Sequence, residues 1–327
     1  MNRCFRAGVR RWAFLIGFWI IVQPPAGLAA VRLDSLGKYL TKKGYGGAQL
    51  VHSGKFYHLP IRSNGRAGHL VIDTGTHGTL IFRSSVRQLK LTETRTNIPV
   101  RSILGLSNER YGRSIIHSFQ AGNFTVKQVP VAIAPDLGDS NTYGRPNGLL
   151  GLRELMKFGA VLDCSRRILY LRPARPERDV TGQIRSILES RGWKPIALTY
   201  TRNRLRVPGE TNDVPCHFFV DTGTFLITLD RSWTNRARIP TREIDSTVHG
   251  VGRSSRRVQL ASLDTVWIGN YQVRGALAAV LSMDAPMLFR GTPSEVVGLV
   301  GVDYLARNSA IFDFVSGTLY LKPRTRH

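Results

Sequence analysis

The sequence has 327 residues, 42% of them hydrophobic, and a formal net charge of +24 at pH 7. This length allows two domains with hydrophobic cores of their own, and this composition excludes a disordered or collagen-like chain. So high a positive charge is typical of nucleic-acid-binding proteins, but the basic residues are scattered and no nucleic-acid-reading motif accompanies them, so we expect no nucleic-acid partner.

The first 30 residues predict a secretory signal peptide. Four arginines precede an apolar run over 12–22, and small residues follow at 27–30, as at a cleavage site. The apolar run has 11 residues, whereas a membrane-spanning helix needs about 20. We therefore expect residues 1–30 to be removed and the mature protein to be periplasmic or secreted. Because the mature chain stays strongly basic, we expect it to associate electrostatically with anionic envelope surfaces.

The mature chain opens with a predicted amphipathic helix over 33–43, followed by a glycine suited to a helix C-terminus. Short runs of valine, isoleucine, leucine and threonine then alternate with glycine-containing turns, which favours a β-rich fold. The elements predicted after this helix are, in chain order, a strand over 69–73, an Asp-Thr-Gly-Thr turn over 73–76, a hairpin over 103–115, strands over 122–126 and 148–151, and a final hairpin over 161–171.

The second half repeats this order. Leu36 and Asp73 have counterparts 148 positions later at Ile184 and Asp221, and the later elements recur at a spacing of 150. The second copy contains a helix over 180–191, a strand over 217–221, Asp-Thr-Gly-Thr over 221–224, a hairpin over 248–260, strands over 269–273 and 298–301, and a final hairpin over 311–321. We predict a first lobe over 31–178 and a second over 179–327, joined by a linker at 172–178.

Asp73 and Asp221 each end an apolar strand, so their carboxylates emerge from a buried floor of low dielectric constant. The glycine two residues later allows a positive φ or a close backbone approach, and the threonine hydroxyls beside it can donate hydrogen bonds. If the two loops meet, the carboxylates cannot both ionise and therefore share one proton. The ionised carboxylate can then activate a water molecule while the protonated one stabilises the developing oxyanion, without a metal or cofactor.

Both halves resemble the retropepsin-type aspartic proteases, joined in tandem as in the pepsin-like enzymes. Each half carries Asp-Thr-Gly-Thr after an apolar strand and, near its end, two apolar residues followed by glycine, at 149–151 and 299–301. The resemblance implies a mainly β fold of two β-barrel lobes related by a pseudo-twofold axis, with the active-site cleft between them. It also implies an aspartic endopeptidase that acts on peptide or protein substrates as a monomer.

The resemblance assigns a role to each residue of the two loops. It implies that Asp73 and Asp221 are the catalytic pair, that Thr74 and Thr222 lock the loops together, and that Thr76 and Thr224 hydrogen-bond the carboxylates from outside. Gly75 and Gly223 complete the two loops. The flap hairpins of the family would correspond to about 101–115 and 247–260, with Tyr111 as the candidate flap tyrosine.

Two other functions stay open at this point. One is a catalytically silent peptide-binding protein with the same fold. The other is an ATPase with Asp-x-Gly-Thr phosphate loops, which the position of each aspartate disfavours, because those loops follow the first strand of each half and these lie about 40 residues into it. We expect the duplicated Asp163 and Asp313 to be structural and His77 to be a packing or subsite residue, and the pairing of Cys164 with Cys216 stays open.

Overall fold

The computed structural model describes residues 34–53, 55–138, 143–173, 178–251, 255–284 and 295–322. The predicted signal peptide lies outside these ranges, and so do residues 174–177 of the predicted linker. Within the described ranges, no helix is both long enough and apolar enough to cross a membrane.

The first half contains two helices, one 3₁₀ turn and eleven strands among its described residues. They are α1 Ser35–Lys42, β1 Gly46–Gln49, β2 Val51–Ser53, β3 Phe56–Ser63, β4 Arg66–Asp73, β5 Leu80–Phe82, the 3₁₀ turn Arg83–Ser85, β6 Thr94–Ser102, β7 Gly105–Ala121, β8 Phe124–Ala134, β9 Gly148–Gly151, α2 Leu152–Lys157, β10 Val161–Asp163 and β11 Ile168–Leu171.

The second half contains three helices and eleven strands in the part that the structure describes. They are α3 Arg178–Glu189, β12 Lys194–Ala197, β13 Thr199–Thr201, β14 Arg204–Thr211, β15 Val214–Val220, β16 Ile227–Asp230, α4 Arg231–Arg236, β17 Thr241–His249, β18 Ser255–Ile268, β19 Tyr271–Leu281, β20 Val296–Val300, α5 Val302–Arg307, β21 Ile311–Asp313 and β22 Thr318–Leu321.

Each half folds into an eight-stranded sheet with the same strand order. The order is β2-β3-β4-β9-β5-β8-β7-β6 in the first half and β13-β14-β15-β20-β16-β19-β18-β17 in the second. In each sheet a long late strand also pairs with an early one, β7 with β3 and β18 with β14, so the sheet curls back on itself. The prediction of a mainly β fold in two related halves is therefore confirmed.

A third sheet joins the two halves. Its order is β1-β11-β10-β21-β22-β12, and β10 of the first half pairs with β21 of the second through Leu162 and Phe312. Helices α1 and α3 pack on this sheet, where Leu36, Leu40 and Ile184 share one buried cluster. Because the sheet is continuous across both halves, it holds the two Asp-Thr-Gly-Thr loops in a defined relation to each other.

The segments 148–151 and 298–301, each of which ends in glycine, run through the centre of the first and the second half, respectively. Strand β9 pairs in parallel with β4, so that Gly151 lies beside Asp73, and β20 pairs in parallel with β15. A Cβ atom on Gly148 would collide with the carbonyl oxygen of Leu80, and one on Gly298 would collide with that of Thr228. Glycine is required at the start of these segments because a neighbouring backbone lies against them.

The helix ends agree with the sequence prediction to within about two residues, but several strands run further than predicted: β8 continues to Ala134 and β19 to Leu281, beyond the predicted ends at 126 and 273. Helix α1 ends just before Gly44, which has a φ of +83°, and α3 ends before Gly192, with a φ of +86°. The first hairpin, predicted over 103–115, instead extends over 94–121 with its turn near 102–105. Strand β6 escaped prediction because it is mostly exposed and its pairing is irregular around Pro99, so it has no apolar alternation. The second hairpin, predicted over 248–260, also begins earlier, at Thr241.

Candidate active site

The two Asp-Thr-Gly-Thr loops meet at the ends of β4 and β15. Asp73 is the last residue of β4 and is 8% exposed, while Asp221 directly follows β15 and is partly exposed. The strand residues before them, such as Ile72 and Val220, are fully buried. The apolar strands therefore deliver both carboxylates to one buried floor, as the sequence pattern predicts.

Thr74 and Thr222 join the two loops by reciprocal hydrogen bonds. The backbone N–H of Thr74 donates to Oγ1 of Thr222 at 3.1 Å, and the N–H of Thr222 donates to Oγ1 of Thr74 at 3.0 Å. Each hydroxyl in turn donates to a carbonyl oxygen of the opposite strand, Thr74 to Val220 and Thr222 to Ile72, both at 2.8 Å. Both threonines are completely buried, so water does not compete for these four bonds.

Each carboxylate accepts hydrogen bonds from its own loop. Asp73 accepts from the N–H of Gly75 at 2.9 Å, the N–H of Thr76 at 3.1 Å and the hydroxyl of Thr76 at 2.8 Å. Asp221 accepts from the N–H of Gly223 at 2.8 Å and the hydroxyl of Thr224 at 3.2 Å. These bonds orient the two carboxylates and leave them facing each other.

The loop glycines show how closely the two carboxylates approach. A Cβ atom on Gly75 would collide with the carboxylate of Asp221, and a Cβ on Gly223 would lie 2.6 Å from Cγ of Asp73. Neither glycine has a positive φ among the described backbone angles. The structure therefore gives close approach as the reason for glycine, and the approaching group is the carboxylate of the other loop where the sequence analysis expects a backbone.

Burial raises the pKa of both aspartates, because desolvation disfavours the charged form. The pKa of Asp73 is raised by burial and lowered in part by the hydrogen bonds from Thr76 and Gly75. Burial and the neighbouring charge of Asp73 raise the pKa of Asp221 to about 7, against the opposing effects of the Gly223 N–H and the Arg204 guanidinium. At mildly acidic pH the pair therefore carries one proton between its two carboxyl groups.

A cleft of about 1220 Å³ opens above this pair and is covered by the first hairpin. Tyr111, on β7, lines the cleft and is half-buried, and burial raises the pKa of its phenol. At the turn of the hairpin, Leu104 is only 2% exposed and packs against Phe219 and Leu281 of the second half. The carbonyl oxygen of Ile103 also accepts a hydrogen bond from the N–H of Asp284 at 2.8 Å. The hairpin thus bridges the two halves above the carboxylates.

The other duplicated aspartates cap turns of the last hairpins. Asp163 accepts hydrogen bonds from Ser165 and from the N–H of Arg166, and Asp313 accepts from the N–H of Val315 and from Ser316. Neither lines the cleft. These contacts match the structural role expected of both residues.

His77 lies in the cleft, whereas the two cysteines are buried outside it. His77 lines the cleft beside the first loop, and burial lowers the pKa of its imidazole. Cys164 and Cys216 are both buried and both free, so they form no disulfide in this structure. No group of three or more metal-ligating side chains occurs in the part of the chain that the structure describes.

Arg204 is the cleft residue that sequence reasoning missed. It begins β14, lines the cleft beside both aspartates and is half-buried. Burial lowers the pKa of its guanidinium, and the charges of Asp221 and Asp73 oppose that effect. The signal was present in the repeat, because the residue 148 positions earlier is Phe56, and an arginine that replaces a core aromatic residue needs a polar environment.

A comparison with protein-family models places both loops within matched segments. A sequence model of a protein family described as "Aspartyl protease" matches residues 59–153 and 207–304, one loop in each match and more than half of the chain in total. No curated protein matches the sequence. The crystal structure of aspartic proteinase from Irpex lacteus is similar over 85% of this chain and 97% of its own, with 12% sequence identity and a TM-score of 0.49.

Proposed function

The chain belongs to the aspartyl protease family, and we propose that it is an endopeptidase in which Asp73 and Asp221 activate a water molecule. The observation that carries this proposal is the contact between the two loops, which places one carboxylate of each half against the glycine of the other. The same family membership is incompatible with the phosphate-binding ATPase considered from the sequence. Both loops retain every polar group that the chemistry needs, which disfavours a silent peptide-binding protein.

The reaction uses the shared proton of the pair. The ionised carboxylate takes a proton from water while the water oxygen bonds to the carbonyl carbon of the peptide, and the protonated carboxyl donates its proton to the carbonyl oxygen. In the next step the carboxyl group that took the proton from water donates it to the amide nitrogen, while the other carboxylate takes a proton from a hydroxyl group of the tetrahedral intermediate as the C–N bond breaks. Atoms and charge balance without a covalent enzyme intermediate.

The loops contribute mainly by holding both acids in place before the substrate binds. The four interlocking bonds of Thr74 and Thr222 fix the separation of the loops. Because the donors around each carboxylate are fixed, little reorganisation is needed as charge develops in the transition state. The two loops form the floor of the cleft, and the first hairpin lies above it.

We further propose that the mature protein works outside the cytoplasm as a monomer on peptide or protein substrates. The signal-peptide pattern of residues 1–30 supports export. The presence of both loops in one chain supports a monomer, because no second copy is needed to complete the pair. The excess of arginine and lysine supports association with an anionic envelope surface.

Hydrolysis in H₂¹⁸O tests the proposed function. The purified protein is incubated with a library of short peptides of randomised sequence, and the products are identified by mass spectrometry. We expect internal cleavages in which each new carboxyl group contains one ¹⁸O atom from solvent. A parallel preparation from cells without the expressed gene controls for contaminating proteases. Binding of peptides without any cleavage would contradict the proposal and favour the silent peptide-binding protein.

The pH dependence follows from the raised pKa values. We expect kcat/KM to fall as pH rises through about 7, because the shared proton is then lost and Asp221 becomes charged. Stability changes with the same sign: a raised folded-state pKa stabilises the fold fully at pH values below the ordinary aspartate pKa of 3.8, and this contribution is lost as pH rises through about 7. A pH profile of kcat/KM and of Tm measures both, and an activity that increases steadily above pH 7 would contradict the shared proton.

A further inference from the structure

The two sides of the cleft differ at one position where the repeat would make them alike. The antiparallel registers of β3–β4 and β14–β15, continued by two residues beyond their last pair, place Phe56 opposite Asp73 and Arg204 opposite Asp221. Phe56 is buried and stacks on the ring of Tyr143, with 4.5 Å between the ring centroids. An arginine cannot replace this contact, so the pseudo-twofold symmetry of the loops is broken beside the catalytic pair.

Arg204 is held in the cleft by its surroundings. It follows a turn at Arg202 and Asn203, both with positive φ, and its guanidinium carbon lies 5.7 Å from the centre of the Phe219 ring. A guanidinium group packed against an aromatic face is oriented at little entropic cost. Within the described residues, Arg204 forms no salt bridge, either with Asp221 or with Asp73, and its charge reaches them through space. Its hydrogen-bond donors therefore remain available to a ligand.

The side chains that line the cleft of about 1220 Å³ are mostly basic where they are charged. Asp73 and Asp221, which share one proton, are the only carboxylates among its described lining residues. Besides Arg204, its described lining includes four lysine and arginine side chains, Lys90, Arg101, Arg113 and Arg153, and three histidines, His77, His117 and His249. Of these, Arg153 already binds the buried carboxylate of Glu154 at 2.7 Å. The cavity as a whole therefore attracts negative charge.

The cavity on the other side of the cleft is mostly apolar. It measures about 430 Å³ and is lined by Phe56, Phe225, Leu226, Leu260 and Leu277, among others. Its described basic residues are His249 and the exposed Lys55, whose ammonium lies 4.8 Å from the centre of the Phe225 ring. A space of this size and lining accommodates a large apolar side chain.

We propose that this cleft selects peptides that present an acidic side chain on the Arg204 side of the scissile bond and a large apolar side chain on the Phe225 side. This inference rests on the proposed function and names its substrate class. Arg204 is the specificity-determining residue, because it can bind a carboxylate through two parallel N–H donors. A glutamine or asparagine at the same substrate position carries no charge. It is therefore attracted less strongly by the basic residues of the cleft, and it leaves the positive charge of the half-buried Arg204 guanidinium without a counter-ion.

Matched peptides test this inference. Cleavage sites in the randomised library give the preferred sequence, from which pairs are made that differ only by Glu against Gln or Asp against Asn. We expect the native protein to cleave the acidic member with kcat/KM about tenfold higher or more, because a charge-assisted bond is roughly twice as strong as a neutral one. In Arg204→Gln the preference should fall below about threefold, mainly through KM, while Arg204→Lys should keep part of it.

Arg185→Gln is the matched control, because Arg185 is exposed on α3, does not line the cleft and pairs with Glu189 of the same helix. It should keep the full acidic preference. Cleavage without an acidic preference, or a preference that survives Arg204→Gln, would overturn the inference and leave the proposed function intact.

If no peptide is cleaved, the proposed function fails, and the library is then bound to immobilised Asp221→Asn protein. If the immobilised protein enriches acidic peptides, and a second protein that also carries Arg204→Gln does not, the result still supports the binding site. If the immobilised protein retains the amide peptides as well as the acidic ones, the inference is overturned.

Discussion

Replacing either Asp73 or Asp221 by asparagine is expected to lower kcat/KM for peptide hydrolysis by at least about a thousandfold. Asparagine preserves the shape of the side chain and can still accept hydrogen bonds from Gly75 or Gly223. It cannot take a proton from water, and it cannot carry the shared proton. Because the two carboxyl groups act as one acid–base unit, the loss of either member removes both roles.

The double variant provides a sharper test of this shared unit. Groups that act together show non-additive effects, so Asp73→Asn with Asp221→Asn should be hardly less active than either single variant. Asp179→Asn is the control, because its carboxylate is exposed and pairs with Lys43 on the surface; it should retain full activity. If either single variant at the pair keeps a tenth of the native kcat/KM, the shared-site mechanism is wrong.

The second large effect is expected at the loop glycines. Alanine at Gly75 would direct its methyl group into the carboxylate of Asp221, and alanine at Gly223 would do the same to Asp73. The backbone of both positions tolerates alanine, so the cost comes from forcing the two loops apart. Displacements of about 1 Å at a reacting centre lower rates by roughly a hundredfold. We therefore expect kcat/KM to fall by about a hundredfold or more in either variant.

Gly182→Ala is the matched control for these substitutions. Gly182 lies within α3, and no heavy atom lies within 4 Å of the position that its Cβ would occupy. Alanine there should leave kcat/KM unchanged and stabilise the protein by up to about 1 kcal/mol, because glycine is a poor helix former. Tm and kcat/KM measured together separate unfolding from displacement of the loops. A Gly75→Ala protein with native activity would show that the two loops do not meet as described.

The flap hairpins show where sequence patterns lose their predictive value. Strand β6 was missed because its side chains are mostly exposed and its pairing shifts near Pro99, so neither face records a regular alternation. Tyr111, the candidate flap tyrosine, lies on β7 and lines the cleft. The docking of Leu104 into the second half could not be predicted, since it depends on partners more than a hundred residues away.

The duplication, the mainly β fold and the equivalence of Asp73 and Asp221 can be predicted without a structure, because strand periodicity and the Asp-Thr-Gly-Thr pattern are local and occur twice. The folded chain is needed to show how the loops meet, which carbonyl and hydroxyl groups join Thr74 to Thr222, and that glycine is needed for close approach, because these contacts join residues about 150 positions apart. The structure also shows that Arg204 lies in the cleft, whereas in the sequence it is one basic residue among many. Arg204 lies beside the two aspartates of the cleft floor, where a dielectric constant lower than that of water strengthens the effect of a single charge.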